Sequence, residues 1–296
     1  MLDEILNYEG NVIRPPSEAR SVIFQVTVGC TDNNCTFCPA YKGKTFRVRN
    51  LPEIEAEFKK VSELLPDTRR IFLADGDAIV VPQEKLVKIL DLANKYFKTL
   101  TRIACYASAK SLKTKSVEDL RALKERKLGI VYIGVETGDK EVYKSINKYG
   151  TPEEVRDAIL KVKEAGIKTN VTVILGLGGK ELSKQHAINT AKLLNEAQPD
   201  QIAALTLMIV PGTPLHKLYE QNKFSPLSDF EFVAELNTLI ENLEDFPCLF
   251  FANHASNYVP IEARFPRQKA EVLKLLGSIL KKKSKTTLKP EWLRGL

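Results

Sequence analysis

The stretch VIFQVTVGCTDNNCTFC, residues 22–38, joins an apolar segment to a loop with three cysteines in nine positions. The apolar residues between Val22 and Val28 predict a strand, and Gly29 turns the chain into the loop. Cys30, Cys35 and Cys38 have no fourth ligand nearby in the sequence, whereas a closed structural site normally takes four. Three thiolates instead suit a [4Fe-4S] cluster with one open coordination position. The sequence therefore predicts a metal-binding loop directly after the first strand.

A structural zinc site is the alternative that stays open at this point. Its fourth ligand would come from a distant segment, namely Cys105, Cys248 or one of the three histidines. Disulfides are disfavoured because the chain has five cysteines, an odd number, and nothing else indicates a secreted scaffold. Cys105 and Cys248 lie in apolar segments, so we expect buried, unreactive thiols there.

Length and composition narrow the class of protein. At 296 residues the chain suits one barrel-type domain or two small ones, and no apolar run reaches the length of about 18 residues that a membrane span needs. The start, MLDEIL, lacks the pattern of a secretory signal, so a reducing cytoplasm is expected. The net charge of +7 permits a nucleic acid or another anionic partner, although no nucleic-acid-binding module is recognisable. A solvated basic C-terminus is the simpler interpretation of the lysines near that end.

Short apolar segments alternate with amphipathic segments along most of the chain. The predicted strands are 22–28, 70–74, 102–107, 130–135, 169–175 and 202–209. The predicted helices are 52–64, 83–97, 116–127, 152–165, 183–196 and 228–243. Six successive βα units predict a parallel α/β sheet, either open and doubly wound or curled as a partial barrel.

Residues that follow the predicted strands are candidate binding groups, because ligands of parallel α/β folds bind beyond the carboxyl ends of the strands. Asp75, Gly76 and Asp77 follow the second strand and offer charged acceptors beside an approachable backbone. Tyr106 and Ser108 bring a phenol and a hydroxyl to the end of the third strand.

Later segments add further candidates. Glu136 ends the fourth strand, where a carboxylate is well placed to bind a ribose or an ammonium group. Val210 precedes a rigid Pro-Gly turn after the sixth strand. His254 lies in a loop rich in hydrogen-bonding groups, which either contacts a ligand at the mouth of the fold or seals it.

The cysteine loop resembles the cluster loop of radical S-adenosylmethionine (SAM) enzymes, with four rather than the usual three residues between the first two cysteines. Residues 134–138, with Val142 and the segment 146–148, resemble the fourth-strand region of the branch that holds coproporphyrinogen oxidase and the Elongator catalytic subunit. The resemblance implies a partial (β/α)6 TIM-like barrel.

The domain boundaries that follow are an N-terminal extension at 1–20, a barrel core at 21–244 and a C-terminal extension at 245–296 that caps the barrel. The resemblance also implies that Cys30, Cys35 and Cys38 hold a [4Fe-4S] cluster whose open iron binds SAM. Together with the strand-end positions, it gives these predicted SAM contacts: Phe37, Asp75, Gly76, Asp77, Ser108, Glu136, Gly176, Leu177 and Val210. The catalytic residues are not identified from the sequence, and Tyr106 and His254 are the candidates.

The implied function is reductive cleavage of SAM to a 5′-deoxyadenosyl radical that removes a hydrogen atom from a substrate. Such a reaction needs a one-electron reductant of the ferredoxin or flavodoxin type, and the sequence does not identify the substrate. The alternative from a different class is a zinc-stabilised α/β nucleic-acid-binding protein without SAM chemistry. No membrane association is expected.

Overall fold

A computed structural model describes residues 5–295 of the chain. Residues 1–4 and 296, which belong to the predicted N- and C-terminal extensions, lie outside the described residues. Most of the MLDEIL segment, in which the pattern of a secretory signal is lacking, therefore also lies outside them. Within the described range, no helix combines the length and the apolar character needed to cross a membrane.

Strands and helices alternate along the described chain. The strands are β1 (Val22–Gln25), β2 (Thr27–Val28), β3 (Arg47–Val48), β4 (Arg70–Ala74), β5 (Arg102–Ala107), β6 (Leu128–Glu136), β7 (Lys168–Leu175), β8 (Gln201–Thr206), β9 (Cys248–Phe251) and β10 (Glu262–Phe265). The helices are α1 (Leu51–Leu64), α2 (Gln83–Tyr96), α3 (Ala109–Lys113), α4 (Val117–Glu125), α5 (Lys140–Ser145), α6 (Pro152–Glu164), α7 (Gly179–Ala197), α8 (Pro214–Glu220), α9 (Asp229–Glu241) and α10 (Lys269–Lys282). Short 3-10 helices occupy Pro16–Glu18, Lys285–Thr287 and Glu291–Leu293.

Each of the six predicted strands is present, and the main sheet has eight mostly parallel strands, which confirms the predicted α/β class. The first predicted strand is divided in two at Val26. Its N–H donates to the carbonyl of Ala74 (2.7 Å), while its carbonyl accepts from the N–H of Arg49 (3.0 Å). The chain therefore leaves the main sheet at this residue, and β2 pairs antiparallel with β3 instead.

The chain divides into two compact units, and the first comprises the described part of Met1–Asn33 with Ala40–Ile133 and Leu160–Thr169. In this unit β1, β4, β5 and the first part of β6 pair in parallel in that order. Phe24, Phe58 and Phe97 are fully buried and meet with ring centroids 4.4 to 5.9 Å apart. These aromatic contacts, two of them edge-to-face, hold α1 and α2 on one face of the sheet.

The second unit comprises Asn34–Pro39, Gly134–Ile159 and Asn170–Leu296. Here β7, β8 and β9 pair in parallel and β10 pairs antiparallel with β9. Strands β9 and β10 and helix α10 were not predicted. They come from the segment expected to be a C-terminal extension, and β9 and β10 are strands of the main sheet.

Candidate functional site

The three clustered cysteines lie on the loop between β2 and β3, and each is half-buried. Gly29, which opens the loop, has a φ of 80°, a conformation that favours glycine. None of the five cysteines forms a disulfide. Cys105 and Cys248 are buried in β5 and β9, and burial raises the pKa of both thiols, that of Cys248 to about 12. The half-buried loop thiols are therefore the ones suited to bind a metal.

Among the residues 5–295, no three His, Cys, Asp or Glu side chains converge closely enough to hold a metal ion. The chemistry of the donors nevertheless fits an iron-sulfur cluster, because Cys30, Cys35 and Cys38 share one short loop. The backbone that follows β4 is also fitted to this loop. A Cβ atom on Gly76 would lie 2.8 Å from Cβ and 3.1 Å from Cα of Cys30, so only glycine leaves room for that cysteine.

Asp75, at the end of β4, is fully buried with one of its carboxylate oxygens unpartnered. Its Oδ2 accepts from Nε2 of Gln25 (2.8 Å) and from the N–H of Gly29 (3.0 Å), whereas Oδ1 has no hydrogen bond. Burial raises the pKa of this carboxyl, and the hydrogen bonds from Gln25 and Gly29 oppose the rise. A buried acceptor left unpaired costs free energy. The orphaned oxygen beside the start of the cysteine loop is therefore suited to accept from a cationic donor such as an ammonium group.

Asp77 is also fully buried, but both of its oxygens are in use. Oδ2 accepts from Oγ1 of Thr31 (2.9 Å) and Oγ of Ser108 (2.6 Å), and Oδ1 accepts from Oγ of Ser111 (2.8 Å). Burial raises its pKa, and these hydroxyls oppose the rise. Asp77 and Ser108, both predicted SAM contacts, are thus hydrogen-bonded to each other. Asp77 also accepts from Thr31, so it connects the start of the cysteine loop to the end of β5.

Tyr106 is half-buried near the end of β5. Its ring packs edge-to-face against Phe72 at 5.0 Å and against Tyr132 at 6.1 Å. Burial raises the pKa of the Tyr106 phenol well above its usual value, so the group stays protonated at neutral pH. It can donate a hydrogen bond at this place but cannot serve as a base.

Glu136 ends β6 with a φ of 63° and forms a 3.1 Å ion pair with Lys148. Desolvation lowers the pKa of Lys148, but the charges of Glu136 and Cys35 outweigh it and the pKa is raised. Residues of the same segment bind the cysteine loop: Ile146 O accepts from Thr36 N (2.9 Å) and Asn147 Nδ2 donates to Asn34 O (3.3 Å). Lys148 was missed as a site residue, although it belongs to the string on which the family resemblance rests.

Gly176 opens the turn after β7 with a φ of 86°, and the neighbouring Leu177 is buried. The N–H of Gly176 donates to Oε1 of Glu235 at 2.6 Å. Burial raises the pKa of Glu235 to about 7. Sequence reasoning missed Glu235, because nothing in the helical pattern of α9 marks one buried carboxylate among its acidic residues.

Two predicted SAM contacts, Phe37 and Val210, are half-buried. Phe37 lies on the cysteine loop, and the carbonyl of the preceding Thr36 accepts from the N–H of Leu215 (3.0 Å) in α8. The carbonyl of Val210 is engaged within its own turn, by N–H (3.2 Å) and Oγ1 (2.7 Å) of Thr213.

His254 lies in a loop that is hydrogen-bonded to the end of β8. Its Nδ1 accepts from the N–H of Ser256 (3.2 Å) and lies 2.9 Å from Oγ of the same residue. Ser256 Oγ in turn accepts from Thr206 N (3.2 Å), and Asn257 Oδ1 accepts from Thr206 Oγ1 (2.8 Å). Burial lowers the pKa of His254, so the ring is neutral near pH 7. These hydrogen bonds hold the loop at the end of β8, and a ligand contact by His254 stays a prediction.

Comparison with known proteins gives consistent results. A sequence profile described as the Radical SAM superfamily matches residues 24–214. The heme chaperone HemW of Bacillus subtilis is 24% identical over 160 residues, covering 53% of this chain and 41% of HemW. The uncharacterized protein MJ0486 of Methanocaldococcus jannaschii is 21% identical over 280 residues, covering 88% of this chain and 85% of that protein. The chain therefore spans about two fifths of the length of HemW but most of the length of MJ0486.

The fold is shared with solved structures. The archaeal Elp3 of Methanocaldococcus infernus, with its N-terminus deleted, has a TM-score of 0.53 at 13% identity, covering 89% of this chain and 63% of that one. At this identity the likeness speaks for the fold alone. From the profile match over residues 24–214, the chain belongs to the radical SAM superfamily, whose members are enzymes that bind a [4Fe-4S] cluster and S-adenosylmethionine.

Proposed function

We propose that the protein is an enzyme that cleaves SAM reductively and uses the resulting 5′-deoxyadenosyl radical to remove a hydrogen atom from its substrate. The observation that carries the proposal is the unpartnered Oδ1 of buried Asp75, next to the glycine that packs against Cys30. This oxygen offers an acceptor for the amino group of SAM beside the first cluster ligand. The superfamily supports the chemistry in general, and the particular reaction is this proposal.

In this proposal the thiolates of Cys30, Cys35 and Cys38 would hold the cluster, which would supply the electron needed to break a carbon–sulfur bond of SAM. Asp77 supports the loop through its hydrogen bond with Thr31. The hydrogen bonds of Asp75 to Gln25 and Gly29 keep its free oxygen oriented.

Glu136 and Lys148 are the paired charges of the second unit that we assign to SAM. Lys148 is protonated, because Glu136 and Cys35 both raise its pKa. A lysine ammonium and a carboxylate 3.1 Å apart can separate to bind a ligand that carries both signs, as the methionyl part of SAM does. Tyr106 stays protonated and is proposed to contact the substrate as a hydrogen-bond donor.

The substrate and the reductant are the open parts of the proposal. The relatives differ in function, with a heme chaperone and a putative methylthiotransferase among them, so none of these functions is transferred to this chain. We propose a one-electron donor of the ferredoxin or flavodoxin type, because the cluster has to be reduced before SAM is cleaved.

The test is anaerobic reconstitution with iron and sulfide, followed by dithionite, SAM and an assay for 5′-deoxyadenosine. Wild type should bind about four irons, in keeping with a [4Fe-4S] cluster, and form 5′-deoxyadenosine. Cys35→Ala should lose both, whereas Cys248→Ala, which changes a buried thiol in β9, should keep both. A colourless wild-type protein with one tightly held zinc and no cleavage of SAM would contradict the proposal. That result would favour the zinc-stabilised nucleic-acid-binding alternative.

A further inference from the structure

Helix α9 lies beyond residues 24–214, the part of the chain that matches the superfamily. From it, Phe232 and Glu235 reach the turn at Gly176, where contact with SAM is predicted. We propose that Phe232 and Glu235 are positioning residues, which fix the backbone of this turn without touching the ligand. The inference rests on the proposed function, because it assigns these residues to the SAM site.

The first argument is steric. A Cβ atom on Gly176 would lie 2.2 Å from Cε1 and 3.0 Å from Cζ of Phe232, so the ring fills the space beside the glycine. Phe232 is itself held in place, with its ring centroid 5.8 Å from that of Tyr258 and 5.9 Å from the guanidinium of Arg294. Because residues three apart share one face of a helix, Phe232 and Glu235 meet the turn together.

The second argument comes from hydrogen bonds. Oε1 of Glu235 accepts from the N–H of Gly176 (2.6 Å), and its Oε2 accepts from Oγ of Ser183 in the first turns of α7. One buried carboxylate therefore joins both ends of the segment 176–183. Without it, the N–H of Gly176 would be a buried donor with no acceptor, which destabilises the observed conformation of the turn.

A buried histidine extends this connection to the end of β6. Nε2 of His186 lies 3.1 Å from the carbonyl of Ile174, which can only accept, so this nitrogen carries the proton. Nδ1 then accepts from Oγ1 of Thr137 (2.7 Å), the residue that follows Glu136. Burial lowers the pKa of His186 to about 4, so the ring is neutral near pH 7. Its Nε2 is 3.5 Å from Oε1 of Glu235, so one buried network supports both strand ends that carry predicted SAM contacts.

The test compares Glu235→Leu with Glu235→Gln in the reconstituted protein. Leucine fills similar space but accepts no hydrogen bond, whereas the amide oxygen of glutamine can still accept from the N–H of Gly176. Glu241→Gln, at the exposed end of the same helix, is the matched control. Hydrogen–deuterium exchange reports on the amides of residues 176–183, and equilibrium dialysis gives the affinity for SAM.

We expect Glu235→Leu to exchange these amides at least tenfold faster and to bind SAM at least tenfold more weakly. Glu235→Gln and Glu241→Gln should bind SAM within about twofold of wild type and should exchange these amides no more than about twofold faster than wild type. A folded Glu235→Leu protein with wild-type exchange and affinity would overturn the inference. Rescue by glutamine separates positioning from a requirement for charge, because glutamine restores the acceptor alone.

The inference can also be tested if Glu235→Leu does not fold or if wild type binds no SAM. If Glu235→Leu does not fold, Ser183→Ala removes one of the two hydrogen bonds and should still accelerate exchange in this segment, so unchanged exchange there would contradict the inference. If wild type binds no SAM, the proposed function fails. Exchange of residues 176–183 would then still decide whether α9 holds the turn, since that measurement needs no ligand.

Discussion

Three buried carboxylates near the predicted ligand contacts differ in how fully the protein satisfies them. Asp77 has three hydroxyl donors and Glu235 has two donors, whereas Asp75 keeps one oxygen without a partner. A fully satisfied carboxylate rigidifies the backbone around it, and an unsatisfied one is ready to bind. At the residue scale, hydrogen-bond partners therefore separate positioning groups from binding groups more clearly than residue type does.

Gly76 is a position where one methyl group should disrupt the metal site. In Gly76→Ala the new Cβ would lie 2.8 Å from Cβ of Cys30, so the start of the cysteine loop has to move. We expect iron content after reconstitution to fall at least threefold. Gly277→Ala, where nothing lies within 4 Å of the added atom, should keep the wild-type iron content. Full iron binding by Gly76→Ala would show that the loop tolerates the shift.

Glu235 should make stability depend on pH. Its pKa is raised by burial from 4.5 to about 7, so the stability it contributes is complete below pH 4.5 and is lost as pH rises through about 7. At about 1.4 kcal/mol per pKa unit, the loss amounts to about 3 kcal/mol. Between pH 4.5 and pH 8, the free energy of unfolding of wild type in urea should therefore fall by this amount relative to that of Glu235→Gln. Parallel pH profiles of the two proteins would contradict the prediction.

At the scale of elements, an ion pair joins β1, α1 and the end of β3. The Arg49 guanidinium donates to both oxygens of Glu57 (2.7 and 3.0 Å) and to the carbonyl of Gln25 (2.8 Å). Both side chains are almost fully buried, at 3% and 4% exposure. Such a pair costs desolvation but fixes the direction in which the chain leaves β3 to start α1.

Removing one partner of this ion pair should destabilise the protein more than replacing both partners with apolar residues. Glu57→Ala leaves a buried guanidinium without its partner and should destabilise the protein by about 3 to 5 kcal/mol in urea unfolding. The double variant Arg49→Met with Glu57→Leu should recover most of this loss, because no charge is left unpaired. Glu153→Ala, which breaks the exposed pair with Lys140, should hardly change stability. A double variant no more stable than Glu57→Ala would refute the argument.

At the scale of the whole molecule, the end of the described chain returns to the core of its unit. Arg294 has a side chain only 3% exposed, and it donates to the carbonyls of Ser256 (2.6 Å) and Leu207 (3.1 Å). Its guanidinium lies 4.1 Å from the ring centroid of Tyr258. One residue near the C-terminus thus binds the end of β8 and the loop that covers it.

Arg294→Ala should therefore reduce global stability, although the residue is distant from the cysteine loop in sequence. Two buried carbonyls lose their donor and a cation–π contact is lost, so we expect a cost of about 2 kcal/mol. The measurement is the midpoint of urea unfolding, with the exposed Arg267→Ala as control. Equal midpoints for the two variants would show that Arg294 contributes little.

Local patterns predicted much of this molecule. The six strands, most of the long helices and the cysteine loop are visible in the sequence because each is set by residues close together in the chain. Glu235 could not be found in this way, since its partner Gly176 is 59 positions away. The short strands β9 and β10 were missed for a similar reason: their pairing is set by sheet neighbours distant in sequence rather than by their own alternation.

The two cysteines inside strands can serve as probes of local opening of the sheet. Cys105 and Cys248 are buried with raised pKa values, so an alkylating reagent meets no thiolate there while the strands stay closed. Their rate of labelling therefore reports how often β5 and β9 separate from the sheet. In cluster-free protein, mass spectrometry should show three quick modifications on the loop and two slow ones. The ratio of the two slow rates would tell which strand opens more often.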